Sequence, residues 1–114
     1  MIDRSEAKRR YKESQTPMGV LQIKNNRNGK IFIASSVNVP ALINRYKLQL
    51  EMGSHPNKRL QAEWNEYGES AFDFQTIDEL KFEKGEKGDP AAELKVLEEL
   101  WLDKLKPYGE KGYH

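Results

Sequence analysis

The segment Asn25-Asn26-Arg27-Asn28-Gly29 constrains the fold more than any other stretch of the chain. It separates two β-prone runs, residues 18–24 (Met-Gly-Val-Leu-Gln-Ile-Lys) and 30–36 (Lys-Ile-Phe-Ile-Ala-Ser-Ser). Asn and Gly accept positive φ, so this linker turns the chain back and pairs the two runs as an antiparallel hairpin. Two helices are expected next. Over residues 38–52, Asn38 caps, Pro40 fits the first turn, Leu42, Ile43, Tyr46 and Leu50 form one stripe, and Gly53 stops the helix. Over residues 57–67, Leu60, Trp64 and Tyr67 share a face and Gly68 follows. Residues 71–80 open with strict alternation, Phe72 and Phe74 against Asp73 and Gln75, which reads as a third strand polar on one side.

The charged loop 83–89 precedes a last helix over residues 90–105, with Asp89 as cap and Pro90 at the first position. Leu94, Leu97, Trp101 and Leu105 are its apolar stripe, Pro107 stops it, and the tail 108–114 is irregular. Residues 1–17 form a charged arm or short helix ahead of a single domain spanning 18–114. The element order is (α)ββααβα. The expected fold class is α+β, a small three-stranded antiparallel sheet flanked by helices.

Composition narrows the chemistry. The chain of 114 residues has no cysteine, which excludes disulfides, thiolate metal sites and cysteine nucleophiles. No stretch of about 18 apolar residues occurs, so no membrane span is expected. Residues 1–12 are charged and hold no apolar run, so no secretory signal is expected and a cytoplasmic address is the default. The net charge of +1 conceals a division. Residues 1–60 carry 12 Lys/Arg against 4 Asp/Glu, whereas residues 61–114 carry 7 against 14. One basic face and one acidic face follow if the halves fold side by side. Gly85 and Gly88 precede no Gly-Lys-Ser/Thr, so they make no phosphate loop. Two histidines without cysteines make no zinc site.

An ordered set of short patterns goes further. Gly19-Val20-Leu21 opens the first strand, and Phe32-Ile33-Ala34 lies in the second, followed by Ser35-Ser36. Asn44-Arg45-Tyr46 lies within the next helix, followed by Gly53-Ser54-His55-Pro56-Asn57, Leu60-Gln61 and Trp64-Asn65-Glu66-Tyr67-Gly68. The last helix carries Glu98-Glu99-Leu100-Trp101 through to Pro107-Tyr108. From Met18 to the end, this arrangement resembles the GIY-YIG nuclease family, and most of all its small stand-alone and homing-endonuclease-like members. The resemblance implies a DNA or other nucleic-acid partner. It implies a tyrosine in each of the two strand motifs, an arginine that neutralises the scissile phosphate, and a glutamate on the last helix that binds one divalent ion, Mg²⁺ or Mn²⁺.

Carried over by position, Arg45 matches the arginine, Glu98 the metal glutamate, and His55 a histidine that some members use. Leu21 and Phe32 stand where the two tyrosines belong, and Ala34 stands for the glycine of the second triplet. Gln49 takes the place of a further histidine and His114 that of an asparagine. Leucine cannot accept a proton and phenylalanine cannot hydrogen-bond.

From the residues alone, Glu98 is one of many acidic side chains and Arg45 a helix-surface arginine, while Glu99 points about 100° away from Glu98. The expectation is a nucleic-acid-binding protein with reduced or absent phosphodiesterase activity. Arg45, Lys47, Lys58 and Arg59 would touch phosphates, and the metal would be needed only if the nuclease site works. Two alternatives stay open. One is an active divalent-metal-dependent endonuclease with an altered general base. The other is a protein-interaction module that kept only the fold, with the acidic second half and loop 83–89 suiting a basic partner.

Overall fold

A computed structural model describes residues 17–81 and 89–114. The expected charged arm, residues 1–16, and residues 82–88 of the charged loop lie outside the described residues. The elements run in the order β1 (Met18–Asn25), β2 (Ile31–Ser36), α1 (Val39–Met52), α2 (Lys58–Tyr67), β3 (Phe72–Leu80) and α3 (Pro90–Leu105). This is an α+β fold, and each element falls within a residue of its expected bounds. The helices α1 and α2 begin one residue later because Asn38 and Asn57 remain outside as caps. Their side chains accept the backbone N–H of Ala41 at 3.1 Å and of Leu60 at 3.0 Å.

The hairpin forms where the linker predicts it, with Gly29 at φ 77°. The sheet order is β2-β1-β3, all antiparallel. β1 is central, pairing Leu21 with Ala34 and Ile23 with Phe32 on one side, and Ile23 with Phe74 on the other. The β1–β3 register shifts between Val20 and Leu21, whose partners are Asp78 and Thr76, so Ile77 is the extra residue of a bulge. Next to it, Gly19 lies so close to β3 that a Cβ there would be driven into the carbonyl oxygen of Asp78.

Alternation along β1 sends side chains to both faces, and both are covered. Leu21, Ile23 and Ala34 join Val39, Leu42 and Leu50 of α1, Leu60 and Trp64 of α2, Phe72 and Tyr113 in one apolar cluster. α3 packs against β2 and β1, and its Leu94 is buried, as are Val20 and Ile33. Trp101 reaches β3 by donating from Nε1 to Asp78 at 2.9 Å. The rest of the α3 stripe (Leu97, Trp101, Leu105) is only half-buried.

The tail is more ordered than its composition suggests. Residues 109–111 form a short helical turn, and Gly112 bridges to Ile31 in parallel. The Tyr113 N–H donates to the Ile31 carbonyl at 3.1 Å, and the His114 N–H donates to that of Pro107 at 3.1 Å. The segment therefore covers the outer edge of β2. Gly112 is needed because a Cβ would strike the backbone of Pro107 and Ile31. Glu63 of α2 anchors this end. Its carboxylate accepts from Lys30 at 3.0 Å, Asn28 at 3.1 Å, buried Asn25 at 3.2 Å and the Tyr113 hydroxyl.

Candidate functional site

Phe32 on β2 is the centre of a ring cluster built from four separate parts of the chain. His114 stacks on it, with centroids 4.9 Å apart and planes 6° apart. Tyr46 of α1 meets it edge-on at 6.0 Å, and His55 of the α1–α2 loop does so at 5.7 Å. Tyr46 and His55 also touch each other at 4.7 Å. Offset and edge-to-face ring pairs of this kind hold side chains in fixed orientations.

The loop that delivers His55 is tightly held. Its backbone N–H donates to Gln61 at 3.1 Å, and Gln61 in turn donates to the Leu50 carbonyl at 2.8 Å. The Asn57 N–H donates to His55 Nδ1 at 3.0 Å. On the other side of Phe32, the Ile33 N–H donates to His114 Nε2 at 2.9 Å. These two bonds fix the tautomers. A neutral imidazole has one N–H and one lone-pair nitrogen. In both histidines the lone pair is engaged by backbone, so His55 carries its hydrogen on Nε2 and His114 carries its hydrogen on Nδ1. Burial pushes both rings below the usual histidine pKa, against the opposing pull of those backbone bonds, so both are neutral at pH 7. Each presents a donor and no free base.

His55 is 6% exposed, and its Nε2 has no partner; the buried Oε1 of Gln49, one turn beyond Tyr46, is likewise unpartnered.

Arg45 is exposed on α1, with its guanidinium 5.7 Å from the Tyr46 ring centroid. Glu98 comes from α3, on the far face of the sheet, and is half-buried, whereas Glu99 is exposed. Burial raises the Glu98 pKa and neighbouring Glu99 adds to it; Lys95 and the Ser35 backbone N–H act against them. The Tyr46 phenol is raised by burial first, opposed by Arg45 and reinforced by Glu98. The Tyr46 phenol therefore feels both Arg45, its neighbour on α1, and Glu98 of α3.

The remaining expected residues are placed as follows. Leu21 and Ala34 face each other across β1 and β2, at 0% and 6% exposure, within the apolar cluster. Lys47 lies two residues beyond Arg45, about 200° around the helix, with its ammonium 5.1 Å from the Phe74 ring on β3. Arg59 donates to the Gly109 carbonyl at 2.8 Å, and Lys58 is exposed at the start of α2. Arg45 thus lies against the ring cluster through Tyr46, while Lys47, Lys58 and Arg59 spread over other surfaces.

Sequence reading gave Tyr46 only a packing role, although its position directly after Arg45 could have marked it. It gave Glu63 no role at all, and nothing local marks Glu63, because its partners lie 33 to 50 residues away in the chain.

Among the described residues, no three His, Asp or Glu side chains gather to cage a metal. A single carboxylate nevertheless suits Mg²⁺, which commonly keeps several waters and takes one or two carboxylates plus substrate phosphate. Glu98, half-buried on α3, fits that donor set. No helix among the described residues is long and apolar enough to cross a membrane.

Comparison with known proteins gives a consistent set of relatives. No family model matches the chain. A curated relative, "Intron-associated endonuclease 1" of Enterobacteria phage T4, is 32% identical over 66 residues, 58% of this chain and 26% of that protein. The chain thus matches about a quarter of that relative's length. The solved catalytic domain of the homing endonuclease I-TevI superposes with a TM-score of 0.69 at 27% identity, over 84% of this chain and 95% of that domain. A glutamate-to-alanine mutant of the same catalytic domain gives 0.70 at 25% identity, over 87% and 93%.

Proposed function

Because the chain is homologous to the catalytic domain of I-TevI, a GIY-YIG homing endonuclease, we propose that it binds DNA through the surface around Arg45 and has reduced or lost phosphodiester cleavage. The observation that carries this reading is the state of the two histidines. Hydrolysis of a phosphodiester needs a water aligned with the leaving oxygen, an acceptor for its proton, and positive charge on the phosphoryl oxygens. Arg45 supplies charge. The acceptor is the weak point. Leu21 and Phe32 have no atom that can take a proton, and His55 and His114 each spend their lone pair on a backbone N–H. Loss of a positioned base typically costs about 10²–10⁴ in rate.

Glu98 is the residue to hold a divalent ion, which when bound would supply charge on the phosphate and a more acidic water. The residues of the chain do the rest. The Arg45 guanidinium binds a phosphate as a bidentate fork. The Phe32 cluster fixes the wall against which that phosphate rests. The half-buried carboxylate of Glu98, which acts on the same Tyr46 phenol as Arg45 does, favours a second reading, an endonuclease that still cuts with an altered base.

Salt dependence tests the DNA reading. The log of the affinity for a duplex should fall linearly with log salt, with a slope of about −0.9 per phosphate neutralised, and Arg45→Ala should reduce that slope by about one. A flat dependence would refute it.

A further inference from the structure

We propose that Tyr46, locked by ring contacts to Phe32 and His55 beside Arg45, donates its hydroxyl hydrogen to the same phosphate that the Arg45 guanidinium binds. This rests on the DNA-binding reading above and names a further residue of that site. Tyr46 stands apart from the other tyrosines of the described chain. Tyr113 uses its hydroxyl on Glu63 and Asn25, Tyr67 lies under Arg27 at 5.9 Å, and Tyr108 is exposed.

The Tyr46 ring is held on three sides, by the edge contact with Phe32 at 6.0 Å, the contact with His55 at 4.7 Å and the guanidinium at 5.7 Å. The Arg45 guanidinium favours the ionised form of the phenol and the Glu98 carboxylate opposes it, so both charges act on this hydroxyl. Arginine can only donate, so towards Arg45 the phenol oxygen accepts and its own hydrogen stays available. The guanidinium has five N–H donors, and those not turned to Tyr46 are free for an anion. A phosphate drawn to Arg45 therefore meets a second donor carried on a ring that is already held, so ordering that side chain adds little entropic cost. His55, 6% exposed and with its Nε2–H unpartnered, backs the same ring with a further donor.

The test is fluorescence anisotropy of a labelled duplex of about 20 base pairs with the full chain, in EDTA, across a salt series, for wild type, Tyr46→Phe and Arg45→Ala. Tyr46→Phe keeps the ring and its edge contacts and removes one neutral donor. A hydrogen bond to a charged acceptor of this kind corresponds to about tenfold or more in affinity. The expected result is a loss of about tenfold with the salt slope and the melting temperature unchanged, because no charge and no packing is lost. Arg45→Ala should lower both affinity and slope. Wild-type affinity in Tyr46→Phe would overturn the proposal while leaving the DNA-binding reading intact. A loss accompanied by a lower melting temperature would also overturn it, by assigning the hydroxyl to the fold. Failure of wild type to bind the duplex in a salt-dependent way would overturn both.

Discussion

Replacing Glu63 with alanine should unfasten the end of the molecule that carries His114. The carboxylate gathers the hairpin (Asn25, Asn28, Lys30), α2 and the tail (Tyr113) at one point. The four bonds do not count equally. Asn28 is exposed and the Lys30 side chain is 23% exposed, so both regain water when the carboxylate goes. Asn25 is 0% exposed but keeps the Tyr113 oxygen at 3.2 Å. Tyr113, 3% exposed, loses its acceptor outright. Hydrogen bonds to charged groups contribute about 1.5–3 kcal/mol each, so the net loss should be about 2–4 kcal/mol. At about 4 °C per kcal/mol for a domain of this size, Tm should fall by about 8–16 °C.

The loss should also depend on pH. Burial alone would raise the Glu63 pKa, but the bonds from Tyr113, Lys30, Asn28 and Asn25 outweigh it and hold the carboxyl below its ordinary value. A group depressed in the folded state contributes fully above its unfolded pKa, and the contribution disappears as pH falls through the folded value. The gap between wild type and Glu63→Ala, measured by thermal melting and urea unfolding, should therefore be constant from about pH 8 to pH 5 and shrink below about pH 4.5. A Tm within about 2 °C of wild type at pH 7, or a gap that widens in acid, would refute this reasoning.

Other perturbations bear on different parts of the account. Gly19→Ala places a methyl against the Asp78 carbonyl and should cost about 3 kcal/mol or more, seen as failure to fold or a large drop in Tm; normal stability would contradict the β1–β3 approach. His55 and His114 are depressed by burial, so on acidification the unfolded chain takes up protons first. Stability should be full above about pH 6.5 and fall below it, and His55→Gln should flatten that fall; a wild-type profile level between about pH 7.5 and 5.5 would show the rings are not held neutral.

The fold was legible because its signals are local. Asn and Gly between two β-prone runs, Asn38 and Asn57 ahead of helical stripes, and the Phe72/Phe74 alternation each report on a few neighbouring residues. The strand order and the bulge at Ile77 depend on pairing between distant segments, which no local pattern records. The site divides the same way. Arg45 and Glu98 were singled out through the ordered motifs, and both act on the Tyr46 phenol, which those motifs left as a packing residue. The spread of Lys47 and Arg59 away from Arg45 follows from helix rotation and from a bond to Gly109, and a net count of basic residues contains neither. The histidine tautomers depend on backbone N–H groups of Asn57 and Ile33, so composition could count the histidines but not tell donor from base.

The central claim is a DNA-binding surface around Arg45 at which neither histidine is free to take a proton. Incubation of supercoiled plasmid with Mg²⁺ or Mn²⁺, wild type beside Glu98→Ala, tests it most directly. The account predicts that wild type retains the plasmid at low salt yet leaves it supercoiled, indistinguishable in cleavage from Glu98→Ala. Nicking by wild type that Glu98→Ala abolishes would contradict it, showing that a working base exists although both histidine lone pairs are engaged by backbone.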